Sequence, residues 1–142
     1  MSGTVIRRDR PFVLLDDARA TGAAPARLYQ APVDVVEARE VAQVAPALER
    51  LRAGRNRGLH AAGFVAYEAA AAFEPVLGDL PAAPTPLLWF GLFDAFETIA
   101  VDAVTDRLPD PASAWLGAPQ PDIDRDAYAA RFDRVLGLIE AG

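Results

Sequence analysis

The chain has 142 residues and a net charge of −6, a length that fits one domain of ordinary size. Its composition, 52% apolar and 24% charged, excludes a chain that is disordered throughout. Cysteine and lysine are absent and His60 is the single histidine, which excludes disulfides, thiolate or multi-histidine metal sites, and lysine-based catalysis within these residues.

The first elements are short strands. The apolar run 11–15 predicts a buried strand, and the residues after it, 16–25, are rich in turn formers. The segments 27–31 and 33–38 predict two further strands, which meet at Pro32 in a hairpin or a sharp corner.

A helix follows, because the apolar residues change from strand to helical spacing. The residues that form this stripe are Val41, Val44, Ala45, Leu48 and Leu51. Gly54 is a natural end. Since proline inside a helix removes a hydrogen bond, we expect the helix to start near Val44 or Ala45, with Pro46 in its first turn.

The middle of the chain predicts a strand over 60–67 that carries small residues, and a short helix over 68–73 that ends before Pro75. The proline- and glycine-containing segment 77–86 predicts a loop. His60 is expected at the start of the strand, hydrogen-bonded or solvated.

The segment 87–93 is too apolar for a half-exposed strand. We expect it to be central in the sheet and covered on both faces, with Trp89, Phe90 and Phe93 in the core. A tight turn at 94–95 then leads into a longer strand over 96–104.

The last element is an amphipathic helix over 125–141, which Asp122 or Asp124 caps. Its apolar face consists of Tyr128, Phe132, Val135, Leu136 and Ile139. The whole order predicts an α+β fold with a mostly antiparallel sheet, one internal helix and a C-terminal amphipathic helix. We expect an N-terminal domain over 1–105, a Pro/Asp/Ala-rich linker over 106–123, and a separate element over 124–142.

Several phrases of the sequence resemble one enzyme family in order and spacing. They are Phe12-Val-Leu-Leu-Asp-Asp-Ala-Arg19, the helix 40–51 with the strand 58–68 after it, Leu87-Leu-Trp-Phe-Gly-Leu-Phe93, and the helix 124–142. The chain is similar to the N-terminal region of component I of aminodeoxychorismate synthase, and also to its relative, anthranilate synthase component I.

The resemblance implies a parent enzyme that aminates chorismate with glutamine-derived ammonia, to make 4-amino-4-deoxychorismate for p-aminobenzoate and folate synthesis. In that family the catalytic residues and Mg²⁺ belong to a C-terminal chorismate-binding domain, and a glutamine amidotransferase subunit is the partner. These residues would then form half of a β-sandwich-like core, and 124–142 the first helix of the catalytic domain. We expect no cofactor and no activity in this chain alone, and a reading frame that continues into Gly-Asp-x-Tyr-Gln.

The resemblance also implies a pocket for tryptophan or another regulator, formed by Leu15, Asp16, Asp17, Tyr67 and Glu68. Asp17 stands where the family often has serine, and an ionised carboxylate only accepts hydrogen bonds and would repel a ligand carboxylate. The alternative is that Tyr67 is a core strand residue and Glu68 caps the short helix.

Two other functions stay open: the N-terminal domain of an anthranilate synthase component I, and a free-standing module that binds an aromatic amino acid. The acidic balance argues against a nucleic-acid partner, and the basic patches 7–10 and 52–57 are short enough to be solvated surface. Neither a signal peptide nor a membrane span is expected, and we therefore expect a cytoplasmic protein.

Overall fold

The computed structural model describes residue 6, residues 9–77 and residues 84–142. The chain divides into two compact units, Met1–Pro109 and Asp110–Gly142, which are described separately. Residues 7 and 8 of the first basic patch, and residues 78–83 of the predicted loop, lie outside the described part of the chain.

Two three-stranded antiparallel sheets form the first unit. Their strands are β1 Phe12–Leu15, β2 Ala26–Gln30, β3 Asp34–Ala38, β4 His60–Val65, β5 Leu88–Phe93 and β6 Glu97–Ile99. The strand orders are β1-β2-β6 in one sheet and β3-β5-β4 in the other. The α+β class with antiparallel sheet is confirmed. The first strand, however, is an edge strand rather than a buried one, since Phe12 and Leu15 are 40% and 48% exposed.

The two sheets are joined by a bend in one continuous ribbon. β2 pairs with β6 and β3 pairs with β5, with Leu28 opposite Glu97 and Asp34 opposite Leu92. Between these pairs one side of the ribbon has five residues and the other four, and the longer side contains Ala31 at φ +55°. An extra residue on one side bends an antiparallel pair, so the predicted junction at Pro32 is a corner between sheets and not a hairpin.

The internal helix, α1, spans Val41–Asn56, so it starts earlier than predicted and continues past Gly54, the predicted end. The side-chain oxygen of Gln43 accepts hydrogen bonds from the backbone N–H groups of Arg39 (2.9 Å) and Glu40 (3.1 Å). The bond from Glu40, the N-cap, satisfies a donor that the helix start leaves free, and the bond from Arg39 fixes the chain that enters the helix. The prediction that Pro46 lies in the first turn was wrong: local capping outweighed the cost of a proline inside the helix.

The main core lies between α1 and the second sheet. Val44, Ala47 and Leu51 of α1 are buried in one cluster with Leu88 and Leu92 of β5. Two members of the predicted stripe are exposed, Val41 and Ala45. They are exposed because the packed face of the helix is centred on positions 44, 47, 51 and 54.

β5 is the central strand of its sheet, as predicted. Leu88 and Leu92 lie under α1, and Phe93 on the opposite face is fully buried, with its ring centroid 5.4 Å from that of Tyr29. Trp89 and Phe90 are only half-buried. The two faces of β5 are therefore only partly covered, whereas we expected both to be covered.

The strand predicted over 96–104 is shorter than expected. Only Glu97–Ile99 is a strand, and 3₁₀ turns follow at Val101–Ala103 and Thr105–Arg107. The pairing with β2 ends at Ala26 opposite Ile99. The residue before Ala26 is Pro25, which has no N–H to extend the ladder.

The second unit contains the predicted C-terminal helix, α2, at Arg125–Ala141. Asp124 caps it by accepting a hydrogen bond from the backbone N–H of Ala127 at 2.7 Å, so Asp124 rather than Asp122 is the cap. No residue of α2 is buried. Its apolar stripe is therefore not covered by other residues of the second unit. Within the described residues, no helix is both long and apolar enough to cross a membrane.

The tight contact between β4 and β5 leads to a test. A Cβ added to Gly63 would meet the Trp89 carbonyl oxygen and lie 2.6 Å from the Phe90 Cα, whereas one added to Gly54 would meet the flexible end of Leu92. We expect Gly63→Ala to lower the free energy of unfolding by about 2 kcal/mol or more, since backbone must move.

Gly54→Ala is the matched control. The helix propensity that alanine gains, about 1 kcal/mol, offsets part of the cost of displacing Leu92, so we expect a smaller loss than for Gly63→Ala. Urea unfolding followed by tryptophan fluorescence measures both variants. Equal stabilities of the two variants would contradict the packing described for β4 and β5.

Candidate functional site

The residues of the predicted regulatory pocket lie at the ends of two outer strands. Leu15 ends β1, and Asp16 and Asp17 follow it, at the edge of the first sheet. Tyr67 and Glu68 follow β4, the edge of the second sheet, and begin a 3₁₀ helix at Tyr67–Ala72. The pocket itself stays a prediction.

The alternative roles of Tyr67, as a core strand residue, and of Glu68, as a helix cap, were both wrong. Tyr67 is 87% exposed, so it is not a core strand residue. Its position in the 3₁₀ helix, after β4 has ended, points the ring away from the sheet interior. Glu68 lies in the first turn of that helix, whose N-cap is Ala66 and has no side-chain cap hydrogen bond.

Asp17 is held by a short network of hydrogen bonds. Its Oδ1 accepts from Nε of Arg19 at 2.8 Å, and its Oδ2 accepts from Nη2 of Arg19 at 2.6 Å and from the backbone N–H of Ala24 at 3.0 Å. The Arg19 guanidinium, followed by the Ala24 N–H, lowers the pKa of Asp17 from 3.8 to about 2. The carboxylate therefore organises the loop 17–24, and an ammonium ligand would have to compete with Arg19.

A separate cleft lies at the C-terminal end of α1, between that helix, the start of β4 and the inner strands. We call it the α1 cleft; its volume is about 780 Å³. Its apolar walls are Tyr29, Leu48, Leu51, Leu59, Ala61 and Phe90. Its polar residues are Arg52, Arg55, Asn56 and His60, all exposed, whereas Tyr29 and Leu51 are buried. The α1 cleft thus has an apolar floor and a polar, cationic rim.

The cations of the rim differ in their pairing. Arg52 donates to Glu49 at 2.8 Å, while the side chain of Arg55 forms no ion pair or hydrogen bond with any described residue. His60 sits edge-on to Phe96, with ring centroids 5.0 Å apart. One guanidinium is therefore free to bind an anion.

The sequence predicts the secondary structure around each of these residues, but not that they line one cleft. The expectations that 52–57 form a helix-end surface and that His60 starts a strand are both confirmed. Arg52 and Arg55 are three residues apart, a spacing that places side chains on one helix face. The sequence alone therefore indicates that Arg52 and Arg55 lie side by side. Their proximity to Tyr29 and Phe90 depends on strand pairing between distant segments, which no local pattern reveals.

Large apolar side chains are unusually exposed in both units. In the second unit Trp115 and Leu116 are 89% and 90% exposed, and the large side chains on the apolar face of α2 are uncovered within that unit. In the first unit Phe64 and Val65, at the end of β4, are 44% and 50% exposed. The side chains of α2 share one helix face, and exposed apolar patches of this kind mark interaction sites in proteins.

Within the described residues, no three histidine, aspartate or glutamate side chains cluster closely enough to hold a metal ion. Comparisons of the chain with known protein families, with curated proteins and with solved structures find no match.

The Asp17 network gives a pH test. Because the pKa of Asp17 is lowered in the folded chain, its contribution to stability is complete above pH 3.8 and is lost as the pH falls from 3.8 towards 2. We expect Arg19→Gln to return the pKa of Asp17 towards its ordinary value. Carboxyl ¹³C NMR titration of Asp17 measures this.

Arg27→Gln is the control, because the Arg27 guanidinium lies over the Phe96 ring, 5.2 Å from its centroid. It removes the same charge without removing a bond to Asp17. If the two variants raised the pKa of Asp17 equally, Arg19 would not be the main cause of the shift.

Proposed function

We propose that this chain is the N-terminal, non-catalytic part of a chorismate-utilising synthase of the aminodeoxychorismate type. Two observations support the proposal. The first is the set of ordered sequence phrases at 12–19, 40–68, 87–93 and 124–142. The second, which carries most weight, is the apolar surface that the folded chain leaves exposed.

The apolar stripe of α2 is energetically unfavourable when it is left in contact with water. Burying a large apolar side chain that was fully exposed contributes about 1.5–3 kcal/mol. Five side chains of the α2 stripe are 43–71% exposed and would each contribute part of that: Tyr128, Phe132, Val135, Leu136 and Ile139. A cover for this stripe would therefore be strongly favoured. In the proposed assembly the chorismate-binding catalytic domain supplies it.

The proposed roles of this chain and of the catalytic domain follow from the chemistry of the reaction. Amination of chorismate requires carboxylates for Mg²⁺, cations for the substrate carboxylates, and an acid–base group near the ring. In the proposal the catalytic domain provides these groups and the metal site, and a glutamine amidotransferase subunit provides ammonia. This chain contributes framework, with the pocket around Leu15–Asp17 and Tyr67–Glu68 as its regulatory element.

Chorismate consumption tests the proposal directly. The purified chain with chorismate, Mg²⁺ and ammonium is expected to consume no chorismate. Added to the chorismate-binding domain encoded in the same genome, it should raise that domain's rate several-fold, and the product should be 4-amino-4-deoxychorismate rather than anthranilate by mass spectrometry. Consumption by the chain alone, or a rate indifferent to its addition, would contradict the proposal.

Substitutions on α2 sharpen the test. Phe132→Asp places a charge on the apolar stripe and should abolish the rate increase, because a buried unpaired carboxylate is costly. Arg134→Asp is the control for a new carboxylate on the same helix, outside the stripe, and should retain most of the increase. Circular dichroism of both variants checks that α2 still forms.

A further inference from the structure

We propose that the α1 cleft is a binding site for small aromatic carboxylates. This inference does not depend on the proposed function, since it uses no residue of the predicted regulatory pocket and no chorismate chemistry. The volume of the cleft, about 780 Å³, is within the range of roughly 300–1,000 Å³ typical of small-molecule sites.

The charge of the cleft selects an anion. Arg55 is a guanidinium with no partner among the described residues, and guanidinium groups bind carboxylates through two parallel hydrogen bonds. Arg52, three residues earlier on the same helix face, and His60 at the start of β4 also line the cleft and carry N–H donors. The helix dipole places roughly half a negative charge at the C-terminal end of α1, which repels an anion. The full positive charge of Arg55 outweighs this repulsion.

The same residues disfavour an amino acid. None of the described residues that line the cleft is acidic, so a ligand ammonium has no carboxylate to pair with. The nearest carboxylate on the helix, Glu49, is already bonded to Arg52. An ammonium would instead meet Arg55 and be repelled.

The floor of the cleft selects an aromatic body. Phe90 and Tyr29 present ring surface, and Leu48, Leu51 and Leu59 complete an apolar wall. Aromatic rings gain both apolar burial and favourable ring contacts in such surroundings. Inorganic phosphate would bind only to the polar residues of the rim and would leave the apolar floor in contact with water.

The test uses 2-naphthoate with the full 142-residue chain. Titration followed by ¹H–¹⁵N NMR should show saturable shifts at the amides of residues 52–61, with a Kd of about 1 mM or tighter. Three comparison ligands should bind at least about tenfold more weakly: 2-naphthamide, which lacks the charge, phenylalanine, which adds an ammonium, and inorganic phosphate, which lacks the ring. No shifts with 2-naphthoate up to about 10 mM, or equal binding of any comparison ligand, would overturn the proposal.

Matched substitutions assign the binding to Arg55. Arg55→Gln should weaken 2-naphthoate about tenfold, the usual loss for a hydrogen bond to a charged group. Arg57→Gln, which removes the same charge two residues away and outside the cleft, should change the Kd less than twofold. Equal loss in both would indicate a diffuse charge effect and overturn the assignment. If Arg55→Gln disturbs the fold, His60→Gln on the other side of the cleft provides the second test, with a several-fold loss expected and an unchanged Kd as the contrary result.

Discussion

The pairing of β5 on both of its edges is the constraint on which the first unit depends. Leu88 and Leu92 are buried because α1 covers one face of this strand, and Phe93 is buried because the bent ribbon brings Tyr29 to the other face. The close approach of β4 at Gly63 completes the arrangement. The same pairing places Phe90 in the lining of the α1 cleft, which Tyr29 reaches from β2.

Apolar side chains outside this core remain exposed. Three-stranded sheets have two edges each, and here β1 and β4 leave apolar residues such as Leu15 and Phe64 partly in water. The helix α2 adds a complete apolar face with no buried residue. A protein that leaves this much apolar surface uncovered gains by binding a partner, and we therefore propose a framework role within a larger enzyme.

Local patterns predicted most elements, and their failures have physical causes. The cap at Asp124 and the strand 88–93 follow from residue type and hydrophobic run, both local signals. The helix α1 starts earlier than the proline rule predicts because Gln43 caps it, and the strand after Phe96 is shorter than predicted because its partner β2 begins only after Pro25. For the α1 cleft, the arginine spacing was readable in the sequence. Its aromatic floor was not, since Tyr29 and Phe90 reach it only through long-range pairing.

We propose that the apolar face of α2 is an interface with a chorismate-binding domain. Hydrogen–deuterium exchange of this chain, measured with and without the chorismate-binding domain encoded in the same genome, tests this proposal. We expect slower exchange of the amides in 125–141 on mixing, and unchanged exchange in the exposed loop 17–24. Exchange in 125–141 that stays the same when the two proteins are mixed would contradict it.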